Sequence, residues 1–235
     1  MPDILIPSLD GASFEAYSAL PKGGNGPGLI VIHGIFGCNV DARRECDTFA
    51  ALGYTAVCPN LFWKQKVGAQ TNATGTTDWE QASKFYKNFD VEAGTRDLLA
   101  TLACLRQMPG CNGKVGAIGF CLGSRMAFLM AARSDLDCVV SYGGVGFDSM
   151  LDEIHDIRAP YLLHLPEQDR FVPASMRQRI MGAMARNRVV VTYSYPGAEH
   201  GFSQEGDAHF NPEIAALART RTQEFLAAYL MDSIN

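Results

Sequence analysis

Short apolar runs alternate along the chain with segments of helical period. Residues 4–6 and 14–20, joined by a turn at Asp10-Gly11, predict an antiparallel start. Six later runs are continuous rather than alternating, which is typical of parallel strands covered on both faces. These runs lie at residues 29–33, 55–58, 115–120, 138–142, 161–165 and 189–195.

The segments between these runs predict helices. Asp41 and Asp90 are expected to begin helices, Pro173 to begin a third, and residues 213–230 to form an amphipathic closing helix. Strands that alternate with helices predict a mostly parallel sheet with helices on both faces. We therefore expect an α/β, doubly wound fold in a single domain over residues 1–235, with function at the carboxyl ends of the strands.

One stretch, residues 61–84, shows no clear period and has a Gly/Thr-rich middle. A long irregular excursion in a tightly wound domain is often functional. We expect this stretch to form a lid or to line a pocket.

Composition narrows the range of partners. The net charge of −5 comes without a cluster of basic residues, so nucleic acid is not an expected partner. No apolar run approaches the ~20 residues that a membrane span needs, and the first residues lack the pattern of a signal peptide. The seven cysteines are scattered without C-x-x-C pairs, which favours reduced thiols and a cytoplasmic location.

The third of these six runs, at residues 115–120, leads into the chemical centre of the sequence. Gly119 and Gly123 lie two residues before and after Cys121, which is the spacing of a nucleophile elbow with sulfur in place of a hydroxyl. A sharp strand-to-helix turn lifts the residue at its apex to the start of a helix, where a thiolate is favoured. Cys121 is the candidate nucleophile, although most free cysteines are only small buried apolar residues.

The partners of such a nucleophile should follow later strands. Asp169 follows the run at 161–165 and His200 follows the last run, so the order is nucleophile, acid, histidine. His200 would transfer protons and Asp169 would orient its ring. Glu167 competes with Asp169 for the acid's role, whereas His164 lies inside a strand and is expected in the core.

Acyl chemistry also needs donors for a developing oxyanion. The backbone N–H groups of Leu122 and Ile35 are the candidates, because one follows the nucleophile and the other follows His33-Gly34 after an early strand. His33 itself is expected to be structural.

With these residues in place, the sequence resembles the dienelactone hydrolase family (carboxymethylenebutenolidases) of the α/β-hydrolase superfamily. The resemblance runs from about residue 28 to the C-terminus and is most specific in Gly-Phe-Cys-Leu-Gly at 119–123. It implies the α/β-hydrolase fold, a Cys-His-Asp triad, a small-molecule ester or lactone substrate, and no metal or other cofactor. We expect a monomer or a small homo-oligomer. The matching stretches are residues 35–37, 56–59, 80–82, 89–94, 113–123, 168–173 and 200–202.

Three positions depart from the family pattern. Gly34 stands where the resemblance implies a glutamate that pairs with the resting thiol, and Trp79 and Gln204 stand where it implies two arginines that grip the substrate's carboxylate. Without those arginines an anionic substrate would lose its water and gain no counter-charge. We therefore expect small neutral esters or lactones in a pocket lined by Gly34, Phe36, Trp79 and Phe171. Trp63 is as readily placed in the core as in the pocket.

Other interpretations stay open at this point. Arg125 or Arg170 could replace the missing arginines in a true dienelactone hydrolase. The thiol could act on other electrophiles such as phosphotriesters, or the chain could be a non-catalytic thiol-sensing or ligand-binding module. Gly34 also suggests that Cys121 rests as a thiolate paired with protonated His200.

Overall fold

An eight-stranded, mostly parallel sheet runs through the computed structural model, which describes residues 3–65 and 76–231. Its spatial order is β1-β2-β4-β3-β5-β6-β7-β8. β1 with β2 and β2 with β4 are antiparallel, whereas the β3–β4, β6–β7 and β7–β8 pairs are parallel. The predicted α/β class and the antiparallel start are confirmed. The strands are β1 (Asp3–Pro7), β2 (Ser13–Ala19), β3 (Gly26–Ile32), β4 (Thr55–Pro59), β5 (Cys111–Phe120), β6 (Cys138–Tyr142), β7 (Tyr161–Pro166) and β8 (Val190–Tyr195).

Side-chain caps set where several helices begin. Asn39 accepts a hydrogen bond from the N–H of Ala42 at 3.0 Å, and Asn211 accepts one from Ile214 at 3.1 Å. The predicted start at Asp41 was therefore late by one residue, because Asn39 and not Asp41 caps the helix. The helices in the described residues are α1 (Val40–Ala51), α2 (Thr76–Lys87), α3 (Val91–Gln107), α4 (Leu122–Arg133), α5 (Ala174–Met184) and α6 (Pro212–Leu230), with two short 3-10 helices at Phe147–Ser149 and Leu151–Asp156. No helix in ranges 3–65 and 76–231 has the length and apolarity to cross a membrane.

Helix α2 corrects part of the prediction for residues 61–84. The structure has a regular helix over Thr76–Lys87, so the irregular stretch ends earlier than expected. Helix α2 buries Ala82 and Phe85 in the core. This apolar face is too short to show a helical period in the sequence. Residues 66–75 lie outside the described residues, and the lid stays a prediction.

The chain packs as two compact units, Met1–Ala117 and Ile118–Asn235. The expected single domain over 1–235 stays a prediction, and each unit is described by itself.

In the first unit, buried polar bonds hold the segment that follows β4. His33 Nε2 accepts a hydrogen bond from the N–H of Leu61 at 3.1 Å, and its Nδ1–H donates to Gly34 O at 2.7 Å. The Trp63 indole N–H donates to buried Asp97 at 2.8 Å, and its ring stacks on Phe14. His33 is therefore structural, as predicted, and Trp63 is half-buried and packs on the core of this unit.

In the second unit, a polar network joins three strands to α6. His164 is fully buried and forms hydrogen bonds with the Tyr195 hydroxyl at 2.6 Å and the Thr222 hydroxyl at 2.9 Å. Thr222 is also hydrogen-bonded to the Tyr142 hydroxyl at 2.7 Å. Burial, with a smaller effect of the Arg221 charge, lowers the pKa of His164 to about 3. The predicted core placement of His164 is confirmed.

This network should make the protein sensitive to acid. Because the folded-state pKa of His164 is about 3, against 6.5 for a free histidine, its stabilising effect is present above pH 6.5 and is lost as the pH falls toward 3. The free energy of unfolding should fall by about 1.4 kcal/mol per pH unit for each such histidine in this window. Buried His33, with a pKa of about 4, should add to the slope.

Urea unfolding at a series of pH values measures this slope. His164→Asn should reduce the slope of unfolding free energy against pH by the equivalent of about one bound proton. The same change at exposed His155 should leave this slope unaltered. In the wild-type protein the NMR signals of the His164 ring should not titrate between about pH 8 and pH 5. A ring that titrates near pH 6.5 would contradict the assignment.

Candidate active site

Cys121 occupies a strained turn between β5 and α4. Its φ of 56° and ψ of −114° make it the only non-glycine residue with positive φ in the described part of the chain. Hydrogen bonds hold the strain in place, because the Cys121 N–H donates to Tyr142 O at 3.3 Å and Cys121 O accepts from the Ser124 N–H at 3.0 Å. The predicted nucleophile elbow is present, with the thiol half-exposed at the start of the helix.

The flanking glycines make this turn sterically feasible. A Cβ on Gly119 would overlap the backbone C=O of Gly123 and would lie 2.9 Å from the backbone nitrogen of Ser124. The Ser124 hydroxyl then ties the first turn of α4 to the segment after β6 by donating to Gly143 O at 2.6 Å. The G-x-C-x-G spacing thus reflects a backbone approach that leaves no room for a side chain.

The structure brings Asp169 and His200 together at the ends of β7 and β8. His200 Nδ1–H donates to Asp169 Oδ2 at 2.8 Å, and the other carboxylate oxygen accepts the N–H of Phe171 at 2.8 Å. The Asp169 side chain is 0 % exposed and that of His200 is 16 % exposed. Glu167 instead accepts a hydrogen bond from Ser194, so Asp169 is the carboxylate that reaches the histidine.

His200 is held in its charged form at neutral pH. Burial alone would lower its pKa, but hydrogen bonds with Asp169 and with the Cys121 side chain, together with the charges of both groups, raise it to about 10. In the second unit, the Cys121 side chain therefore interacts with the imidazolium of His200, which in turn is bonded to the Asp169 carboxylate.

A small, partly open pocket lies beside Cys121 and His200. Apolar aromatic rings form much of its wall, and among the described residues that line it His200 is the only basic side chain. It is lined by Phe120, Cys121, Tyr142, Gly143, Pro166, His200, Gly201, Phe202, Ser203 and Gln204. The sequence pointed to Gln204 but to none of Phe120, Tyr142, Phe202 and Ser203. The available signal for Phe202 and Ser203 was their position directly after His200 and Gly201.

The two candidate replacement arginines lie outside the lining of this pocket. The Arg125 side chain packs against Gly146 and its Nε is buried without a hydrogen-bond partner. The Arg170 guanidinium lies over the ring of Phe171 at 4.8 Å, and that ring meets the His200 ring nearly at right angles at 4.8 Å. Phe171 is thus beside His200 but is not among the residues that line this pocket, and its contact with substrate stays a prediction.

Apart from Leu122, the remaining predicted site residues belong to the first unit. There the rings of Phe36 and Trp79 meet edge to face at 4.9 Å, and Gly34 O accepts the hydrogen bond from His33. The roles of Gly34, Phe36 and Trp79 toward substrate, and of the Ile35 and Leu122 N–H groups toward an oxyanion, stay predictions. Across residues 3–65 and 76–231 no group of three or more His, Cys, Asp or Glu side chains could hold a metal ion.

Comparison with known proteins decides the family. The model of the dienelactone hydrolase family matches residues 14–230. The chain belongs to this family. As a member, it is a hydrolase of the carboxylic ester and lactone class.

Similar proteins span nearly the whole chain. A protein of Azospirillum brasilense, provisionally named a carboxymethylenebutenolidase, is 43 % identical over 232 residues, covering 98 % of this chain and 100 % of that one. The carboxymethylenebutenolidase of Pseudomonas putida is 37 % identical over 224 residues, covering 95 % of each. A crystal structure from Klebsiella pneumoniae, provisionally named a dienelactone hydrolase, superposes with a TM-score of 0.84 at 26 % identity, covering 97 % of this chain and 98 % of that one.

Gly119→Ala should test the steric basis of the elbow. The added methyl group meets backbone atoms that cannot move aside, so we expect a loss of about 3 kcal/mol or more in the free energy of unfolding, measured by urea denaturation. Gly182→Ala is the matched control, because Gly182 is exposed on α5 and a Cβ there would meet nothing within 4 Å. That change should stabilise the protein by up to about 1 kcal/mol. Equal effects of the two substitutions would refute the steric argument.

Proposed function

We propose that the protein is a cysteine-dependent hydrolase of small neutral esters or lactones, which acts through Cys121, His200 and Asp169 and a covalent acyl-enzyme. One observation carries the proposal: Cys121 and His200 line the same pocket, and His200 Nδ1–H donates to buried Asp169 at 2.8 Å. Interactions with Asp169 and Cys121 also raise the pKa of His200 to about 10. A thiol–imidazole contact of this kind is what nucleophilic catalysis by cysteine requires.

In this mechanism the resting pair is a thiolate and an imidazolium. Cys121 Sγ attacks the carbonyl carbon, and the oxyanion that forms is bound by backbone N–H groups, for which Leu122 and Ile35 are the candidates. Collapse breaks the C–O bond while His200 gives its proton to the leaving oxygen. In a lactone that oxygen stays attached to the acyl group.

Hydrolysis of the thioester restores the resting pair. His200, now neutral, takes a proton from water as the hydroxide adds to the acyl carbon. The second tetrahedral intermediate expels the Cys121 thiolate and releases the carboxylic acid. Asp169 keeps Nδ1 of His200 protonated throughout, so that Nε2 is the atom that exchanges protons.

The proposal of neutral substrates is supported by the charges around the pocket. Gln204 lines it, and neither Arg125 nor Arg170 does. A carboxylate that entered would be desolvated without a cationic partner other than His200, at a cost of several kcal/mol. The cytoplasmic location, supported by seven free cysteines, and the monomer or small homo-oligomer stay proposals as well.

Alkylation tests the resting charge state. Iodoacetamide should modify Cys121 at a rate that changes little between about pH 6 and pH 8, because the thiolate already exists beside protonated His200. Cys104 is an internal control, since burial raises its pKa and its slower rate should climb with pH. Peptide mass spectrometry separates the two sites. A Cys121 rate that climbs about tenfold per pH unit, as an ordinary thiol does below its pKa, would contradict the proposed pair.

Turnover tests the function. We expect kcat/KM to favour a neutral lactone over a matched lactone with a free carboxylate by at least about tenfold, because only the second loses a charged group's hydration. Cys121→Ala should abolish turnover, and His200→Ala should lower it by ~10²–10⁴.

The outcomes separate the alternatives. A preference for the carboxylate would overturn the neutral pocket and favour a different carboxylate grip. If both variants kept the turnover of the wild-type protein, the cysteine mechanism would be wrong. If the wild-type protein turned over neither lactone, the proposed substrate class would be wrong.

A further inference from the structure

Two polar side chains, Ser203 and Gln204, line the pocket directly after the His200 segment. Their backbone is fixed by turns, since the Gln204 N–H donates to Gly201 O at 2.9 Å and the Asn211 N–H donates to Phe202 O at 2.9 Å. The His209 ring closes the same loop by meeting Glu199 at 3.1 Å. Both side chains are therefore presented to the pocket from a pre-formed loop.

Neither side chain has a hydrogen bond to any part of the protein that the structure describes. The other polar side chains of the pocket are already engaged, because the Tyr142 hydroxyl is bonded to Thr222 and His200 is bonded to Asp169. The unused hydrogen-bonding capacity of the pocket is thus concentrated at these two neighbouring positions. Half-buried groups of this kind gain most from a ligand that supplies the partner.

We propose that Ser203 and Gln204 form a subsite for an uncharged polar substituent, such as a hydroxyl, keto or carboxamide group, beside the reactive carbonyl of the substrate. This inference rests on the proposed function and names the substrate class more narrowly. A serine hydroxyl and a glutamine carboxamide each offer both a donor and an acceptor. Together they match any of these neutral groups and supply no positive charge for a carboxylate.

The rest of the pocket limits what can carry that substituent. The pocket is small and partly open to solvent, so a short substrate suits it best. The stacked rings of Phe120 and Tyr142, 4.9 Å apart, and the buried ring of Phe202 give it an apolar wall. The structure therefore fits a short substrate with an apolar body and one neutral polar substituent.

The test compares γ-butyrolactone with α-hydroxy-γ-butyrolactone. For the wild-type protein, kcat/KM should be about five- to tenfold higher for the hydroxylated lactone, the gain expected of one or two hydrogen bonds. Gln204→Leu and Ser203→Ala should each reduce this ratio, and the double variant should bring it close to one. Ser175→Ala and Gln178→Leu are matched controls on the exposed face of α5, and they should leave both the ratio and the activity unchanged.

Binding keeps the test independent of turnover. With Cys121→Ala as the background, NMR titration should show tighter binding of the hydroxylated lactone, and adding both Ser203→Ala and Gln204→Leu should remove the difference. If the two lactones bind and react equally in the wild-type background, or if the ratio survives the double variant, the subsite is wrong. If binding discriminates while no lactone is turned over, the subsite stands and the proposed hydrolysis fails. Gln204→Arg should shift the preference toward a carboxylate substituent, because it supplies the missing positive charge.

Discussion

The strained backbone at Cys121 is the constraint on which the second unit depends. A residue with φ of 56° is tolerated there only because Gly119 and Gly123 approach each other without side chains between them. This turn ends β5 and begins α4 within one residue, so the thiol stands at the positive end of a helix instead of inside the sheet. Hydrogen bonds from the Ser124 hydroxyl to Gly143 O and from the Cys121 N–H to Tyr142 O then hold this turn in place.

Three buried histidines show how partners decide charge. His33 and His164 are surrounded by backbone and hydroxyl groups, so burial dominates and their pKa values fall to about 4 and about 3. His200 is also largely buried, but a carboxylate and a thiol contact it, and its pKa rises to about 10. The same side chain is thus a neutral core residue in two places and a charged one in the third. The difference comes from what it touches and not from how deeply it lies.

The sequence was sufficient for the features that follow from local rules. Apolar runs marked every strand, and the glycine spacing around Cys121 marked the elbow, because backbone sterics act over a few residues. Contacts made across the fold could not be obtained in this way. That Arg125 packs against Gly146, and that Phe120 and Tyr142 line the pocket, are results of tertiary packing. Helix α2 was missed because its short apolar face follows a stretch without a period.

The two oxygens of Asp169 have a consequence for how this protein can diverge. One is held by the N–H of a residue two positions along its own loop, so an insertion between Asp169 and Phe171 would displace the carboxylate. The segment after Phe202 carries no comparable tether to the acid. Side-chain changes at residues 203 and 204 can therefore alter which compounds are accepted without disturbing the carboxylate, while the length of the β7–α5 connection stays fixed. The acid and the residues proposed for selectivity thus lie on different loops and can change independently.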